Sequence, residues 1–158
     1  MDKSPVKPLV KHILVAVDFS PMALVTAQMA AQEAQLRGAL LTLLHIFNPQ
    51  MLNLQMPEEI LPPALDLREK LLHLAHVEME RLRQSIAETG ITPEVALEES
   101  VENIGKAVIA YGDAQGADLL VVGSHGHGAL GRLLLGSVAN DIIRHASVPV
   151  LVVKRRED

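Results

Sequence analysis

Apolar residues in this chain gather into short, nearly unbroken runs, set between longer stretches whose apolar residues recur at helical spacing. The runs are Ile13-Leu14-Val15-Ala16-Val17, Leu40 to Phe47, Ala117 to Val122 and Val148 to Val153. Continuous rather than alternating hydrophobicity over such lengths is the pattern of a parallel strand covered on both faces. Thr92 to Glu98 alternates instead and predicts an edge-like strand. Between the strands, Ser20 suits an N-cap, Pro21 a first helical position and Gly38 a helix end. From Ala64 to about Thr89, the residues Leu67, Leu71, Leu74, Ala75, Leu82 and Ile86 fall on one helical face, and Gly90 closes the helix. Asn103 to about Gln115 predicts a third helix and Ser137 to His145 a fourth.

Strands alternating with helices through right-handed crossovers predict an α/β fold. The expected form is a single open parallel five-stranded sheet of order 3-2-1-4-5, with helices on both faces, of flavodoxin/Rossmann-like architecture. Pro5 and Pro8 predict a flexible N-terminal arm over residues 1–10, with one domain over residues 11–158. In such sheets ligands sit beyond the carboxyl ends of the strands where the order reverses, here between the first and fourth strands. Asp18 and Gly123 fall at those two ends. The stretch from Asn48 to Pro63, with Pro49, Pro57, Pro62 and Pro63 among Met51, Leu52, Leu54 and Met56, is long for a connection. It suits a lid, a partner surface or a disordered segment.

Bulk composition narrows the function. With 158 residues, 49% of them hydrophobic, the chain can bury one sizeable core without a staple. A net charge of -5 and 2% aromatic residues leave neither an electrostatic footprint for a polyanion nor platforms for stacked bases, so no nucleic acid is expected as a partner. Lys154-Arg155-Arg156 is followed at once by Glu157-Asp158 and suits a solvated tail. The absence of Cys excludes a disulfide framework, a thiolate metal site and a Cys nucleophile. No apolar run approaches the roughly 20 residues of a membrane span, and Met1-Asp2-Lys3-Ser4-Pro5 lacks a signal-peptide core. A cytoplasmic protein with no membrane partner is expected.

The candidate chemistry lies in Gly123-Ser124-His125-Gly126, directly behind the fourth strand, and in Gly136-Ser137 further on. A strand that opens into a glycine-rich loop and then a helix is a geometry in which backbone N–H groups cradle phosphates. Gly123 would turn the chain off the strand, and Gly126 and Gly136 would adopt positive φ or leave room for phosphate oxygens. Ser137 would offer its hydroxyl, and the N–H groups of Ser137 and Val138 would point at the anion. Singly, each residue is an ordinary turn glycine or helix cap. The combined spacing Gly-x2-Gly-x9-Gly-Ser is far more specific.

On these residues the chain resembles the universal stress protein family, in its nucleotide-binding branch. The resemblance runs from Ile13-Leu14-Val15-Ala16-Val17-Asp18-Phe19-Ser20 through Leu43-Leu44-His45-Ile46, Ala117 to Gly126 and Leu134-Leu135-Gly136-Ser137-Val138-Ala139 to Val148 through Lys154. It implies an ATP site, with AMP or ADP as close substitutes and Mg2+ or Mn2+ arriving through the phosphates. Ala16, Val17 and Asp18 would lie beside the adenosine, and the Ile46 backbone would face the adenine. Val122, Gly123, Ser124, His125, Gly126, Gly136, Ser137 and Val138 would line ribose and phosphates. A homodimer through the last strand, at Val148, Val150 and Val152, is also implied, and pairing would relieve an exposed apolar edge. Two departures stand out: Gly112 where alanine is usual, and Glu102-Asn103 where a glycine is common.

Other chemistries fit less well. Gly126-His127-Gly128-Ala129-Leu130-Gly131 spells a dinucleotide fingerprint, but behind the fourth strand and without the ribose-binding acid, and no Lys follows to make a Walker A loop. The pairs His73/His76 and His125/His127 have no third metal ligand beside them, so no metal site of the protein's own is expected. Ser124 and His125 are adjacent, an arrangement in which loop residues seldom point at each other, and no triad or other catalytic residue can be argued. Arg132 suits a solvated charge better than a phosphate contact. The expected function is an ATP-binding, nucleotide-sensing stress-response module with at most slow hydrolysis. A nucleotide-independent dimeric scaffold and an ATP-using enzyme, ATPase or adenylyl transferase, are the alternatives.

Overall fold

The computed structural model describes residues 9–49, 64–125 and 135–155. Strands β1 (His12–Ala16), β2 (Leu40–Phe47), β3 (Glu94–Glu99), β4 (Leu119–Gly123) and β5 (Val150–Val153) alternate with helices α1 (Met22–Arg37), α2 (Ala64–Ala87), α3 (Ile104–Gln115) and α4 (Ser137–His145). They form one parallel sheet of order β3-β2-β1-β4-β5, as the sequence predicts. Ala16 pairs with Leu44 on one side and with Val122 on the other, so β1 is the strand at which the order reverses.

The apolar runs are continuous because each sheet face carries its own core. Ile13, Val15, Leu41, Leu43 and Val121 pack against Ala27, Ala30, Ala31 and Ala34 of α1 and Met79 and Ile86 of α2. Leu14, Leu44, Ile46, Leu120 and Val122 pack against Ala107 and Val108 of α3 and Ala139 and Ile142 of α4. The alanine stripe lets α1 approach the sheet closely. On α2 the buried stripe is Ala75, Met79, Leu82 and Ile86, whereas Leu74, expected on that face, is 57% exposed. The sequence holds two adjacent apolar stripes on α2, and the sheet takes only one of them.

Strand boundaries shift where proline interrupts the ladder. β3 begins at Glu94 rather than Thr92 and β5 at Val150 rather than Val148, since Pro93 and Pro149 have no N–H to donate. The Pro149 carbonyl still accepts from Leu120 N–H at 3.0 Å. At the two edges, β3 presents Glu94, Glu98 and Glu99, charges that blunt an edge, whereas Val150, Leu151 and Val152 of β5 are apolar and half-buried.

Helix ends follow the chemistry of their residues. Ser20 Oγ accepts from Met22 N–H at 3.3 Å, and Pro21 already has helical dihedrals. Gly38 and Gly116 close α1 and α3 in the left-handed conformation. Asn103 caps α3 through Oδ1 to Lys106 N–H at 3.1 Å, and its Nδ2 donates to Asp141 of α4 at 2.8 Å. The departure from glycine in that turn therefore joins two helices. Gly112 is likewise a packing residue: an added Cβ would stand 3.1 Å from Leu120 Cδ2 and 3.3 Å from Leu14 Cδ2.

Candidate functional site

The carboxyl ends of β1 and β4 lie side by side and carry the two segments singled out in the sequence. Beyond β1 the ladder extends one step, with Val17 N–H donating to Leu44 O at 2.9 Å. Asp18 then turns back, and its Oδ1 accepts from Ser20 N–H at 2.9 Å, an Asx turn that starts α1. Ile46 is buried near the end of β2, two positions past the Leu44 that pairs with Ala16. The structure thus brings Ala16, Val17, Asp18 and Ile46 to one end of the sheet.

On β4, Val122 is buried and Gly123 is half-buried. Gly123 has no positive φ. What it supplies is space: an added Cβ would stand 3.1 Å from Thr26 Oγ1 of α1, whose hydroxyl donates to the Met22 carbonyl at 2.7 Å. The glycine permits close packing of α1 on β4 rather than a special turn. Gly136 also has ordinary extended dihedrals, φ -61 and ψ 158, so it needs no left-handed conformation either.

Ser124 is 4% exposed and organises the start of the loop. Its N–H donates to Val153 O at 2.8 Å, its carbonyl accepts from Gly136 N–H at 2.7 Å, and its Oγ lies 2.8 Å from His125 Nδ1. The expectation that these neighbours point apart is therefore corrected: in so tight a turn the short hydroxyl reaches the adjacent ring. The Gly136 contact sets the first turn of α4 beside the strand ends. The first intrahelical bond there is Asn140 N–H to Gly136 O, so the N–H groups of Ser137 and Val138 precede it and carry the positive end of the helix dipole. Gly126, His127 and Arg132 lie outside the described residues, as do Met51 to Met56.

Two residues that the sequence reading passed over complete this end of the sheet. His45 Nδ1 lies 2.8 Å from the Val17 carbonyl, and the His45 ring stacks on Phe19 with centroids 4.2 Å apart and planes 29° from parallel. The available signal was one imidazole on the same strand face as Leu41 and Leu43. Burial holds the His45 pKa below the usual imidazole value, outweighing the Val17 hydrogen bond and the charge of Asp18, which raise it. A histidine kept neutral by the fold costs stability in acid, because the unfolded chain takes up the proton first. Stability should therefore fall as pH drops below the usual value of about 6.5, with no such loss above it. His45→Gln should flatten that part of the profile, and urea denaturation of parent and variant from pH 7.5 to 5.5 checks it; parallel profiles would refute the assignment.

The opposite end of the sheet has a concavity of about 540 Å³ lined by Leu9, Lys11, His12, Leu40, Gln115, Gly116 and Asp118. Its polar groups are engaged in bracing: Asp118 Oδ2 accepts from Lys11 N–H at 2.9 Å and His12 N–H at 3.1 Å, and the His12 ring contacts Thr42. His73 and His76 are exposed on α2, and among the described residues no group of three His, Asp or Glu is placed to hold a metal. No helix of the described residues is long and apolar enough to cross a membrane.

A parallel sheet with a loop-to-helix junction at its switch point defines a class of α/β proteins that take ligands at their strand ends. The family model of the universal stress proteins matches residues 10–154, and the chain belongs to that family. A universal stress protein of Thermus aquaticus is 34% identical over 146 residues, covering 91% of this chain and 98% of the relative. The structure of MJ0577, a Methanocaldococcus jannaschii universal stress protein, superposes with a TM-score of 0.79 at 27% identity, covering 95% of this chain and 99% of that one. The Archaeoglobus fulgidus universal stress protein in complex with dAMP superposes with a TM-score of 0.66 at 26% identity, covering 91% and 98%. The chain spans about half the length of other curated relatives, 47% of one from Mycolicibacterium smegmatis.

Proposed function

We propose that this protein binds an adenine nucleotide, ATP foremost, at the carboxyl ends of β1 and β4, and acts as a nucleotide-sensing module in a stress response. The observation that carries the reading is the Ser124 to Gly136 hydrogen bond, which sets the amino end of α4 against the strand ends beside Asp18. N–H donors at a helix start suit phosphate oxygens, and a relative of similar fold has been solved with dAMP.

In this reading Ala16, Val17, Asp18 and the Ile46 backbone meet the adenosine. Val122, Gly123, Ser124, His125, Gly126, Gly136, Ser137 and Val138 meet ribose and phosphates. In the tautomer in which the Ser124 hydroxyl donates to His125 Nδ1, Nε2 carries the ring proton and can donate to a phosphate oxygen. No trio of acidic or imidazole ligands is assembled among the described residues, so Mg2+ or Mn2+ would be held by the phosphates and water. Among the described residues the chain supplies donors to the anion and no group poised to activate water, which favours binding over turnover.

A ligand that binds only the folded state stabilises it by mass action, adding about 1.4 kcal/mol for each tenfold excess over Kd. The thermal midpoint should therefore climb steadily with ATP and Mg2+ from micromolar to millimolar. A flat titration would replace this reading with the nucleotide-independent scaffold.

We further propose that the protein works as a homodimer paired through β5, with Val148, Val150 and Val152 at the seam. The apolar, half-buried edge supports it, since an unpaired edge of that kind invites association. Val152→Lys should convert the dimer to monomers or aggregates. Light scattering that finds the variant dimeric would exclude this seam.

A further inference from the structure

We propose that His45 is the positioning residue of the nucleotide site, fixing the Val17-Asp18-Phe19 turn in the shape that meets the adenosine end of the ligand; the inference rests on the nucleotide reading above. Three contacts from β2 hold this turn. Leu44 O accepts from Val17 N–H at 2.9 Å, an ordinary ladder bond. The other two come from a single side chain: His45 Nδ1 is 2.8 Å from the Val17 carbonyl, and its ring lies against Phe19 with centroids 4.2 Å apart.

β1 ends at Ala16 and the ladder at the Val17 N–H, so the chain from the Val17 carbonyl onward must be shaped by something other than strand pairing. A carbonyl just past a strand end needs a donor, and the Nδ1–H tautomer of His45 provides it. The same ring offers a flat face to Phe19, which is 39% exposed and would otherwise be held on fewer sides. Asp18, between these two anchored residues, is oriented further by its bond to Ser20 N–H. Imidazole is suited to this place because it combines donor and face. Leu has neither, Asn keeps a donor where Nδ1 stands, and Phe keeps only the face.

The core gives no reason for a histidine here. Leu41 and Leu43, on the same face of β2, are buried aliphatics, and an aliphatic residue at 45 would bury more apolar area. The polar ring is therefore explained by what it holds. Its hold is on the adenosine end, while the loop and α4 serve the phosphates, so the two ends respond separately to substitution.

The test is calorimetric titration of the parent, His45→Leu, His45→Asn and Phe19→Leu with AMP, ATP and GTP, well below each thermal midpoint. His45→Leu should weaken AMP and ATP by the same factor, about tenfold, the upper range for one hydrogen bond to a neutral group. Its preference for ATP over GTP should shrink, a change that loss of core packing alone would not produce. His45→Asn should recover most of the affinity. If His45→Leu does not fold, His45→Asn and Phe19→Leu, each retaining one of the two contacts, should show smaller losses of the same base preference. A parent that binds ATP while the His45 variants keep its affinity and base preference overturns the inference and leaves the nucleotide reading intact. Loss of ATP affinity without loss of AMP affinity also overturns it, by locating the effect at the phosphates. A parent that binds none of the three overturns the nucleotide reading itself, and the inference with it.

Discussion

Ile142→Ala should destabilise the protein by about 2–5 kcal/mol, the range for truncating a fully buried aliphatic side chain. Ile142 has no exposed surface and belongs to the core layer of Leu120, Val122, Val108 and Ala139. Truncation removes the side chain that seats α4 on the sheet and leaves a cavity that the rigid strands cannot close. For a domain of this size each kcal/mol moves the thermal midpoint by about 2–4 °C, so a fall on the order of 10 °C is expected. The adjacent Ile143 is 45% exposed, and Ile143→Ala should change little. Chemical denaturation of the two variants side by side checks the claim. Equal losses would mean that α4 is not oriented as described.

Gly105→Val should cost about 3 kcal/mol, the upper end of the usual range for overpacking. An added Cβ at Gly105 would stand 2.7 Å from Asp141 Cβ and 3.2 Å from Asn103 Oδ1. The first obstacle is the root of a side chain on α4, which cannot swing aside as the far end of a long chain would. α3 must therefore retreat from α4 and give up the Asn103 to Asp141 hydrogen bond. Asn103→Ala provides the scale, because losing a cap and its tie should cost only about 1 kcal/mol. Thermal denaturation in which Gly105→Val melts with the parent would show that the two helices are not in close contact.

The architecture was legible because each strand of the sheet interior is written as an apolar run and each helix end as a cap or a glycine. Ser20-Pro21, Gly38, Asn103 and Gly116 end their helices where their chemistry places them. Boundaries moved where Pro93 and Pro149 break the ladder, and by a residue or two at other element ends. The switch point was legible too, since Asp18 follows and Gly123 ends a strand that the order 3-2-1-4-5 sets there. Which part of a ligand each of these residues would meet was implied by family resemblance, not by pattern.

Contacts between distant elements were not legible. The Phe19 to His45 stack, the approach of Thr26 to Gly123 and that of Asp141 to Gly105 depend on how helices settle on the sheet. Periodicity reports which face is apolar, not which residue lies opposite. Gly112 shows the limit plainly: as a sequence feature it weakens a helix, and in the fold it is the space that Leu14 and Leu120 occupy. The placement of Leu74 on the buried face of α2 failed for the same reason.

The hydrogen bond between Ser124 O and Gly136 N–H joins the two stems of the connection between β4 and α4 at one point. Ser124 N–H is in turn held to Val153 O of β5, so both ends of that connection are fixed by the sheet. Doubling the length of a flexible closed loop adds only about 0.6 kcal/mol of closure entropy, little beside what either core layer contributes. Insertions and substitutions between the two stems are therefore cheap for the scaffold.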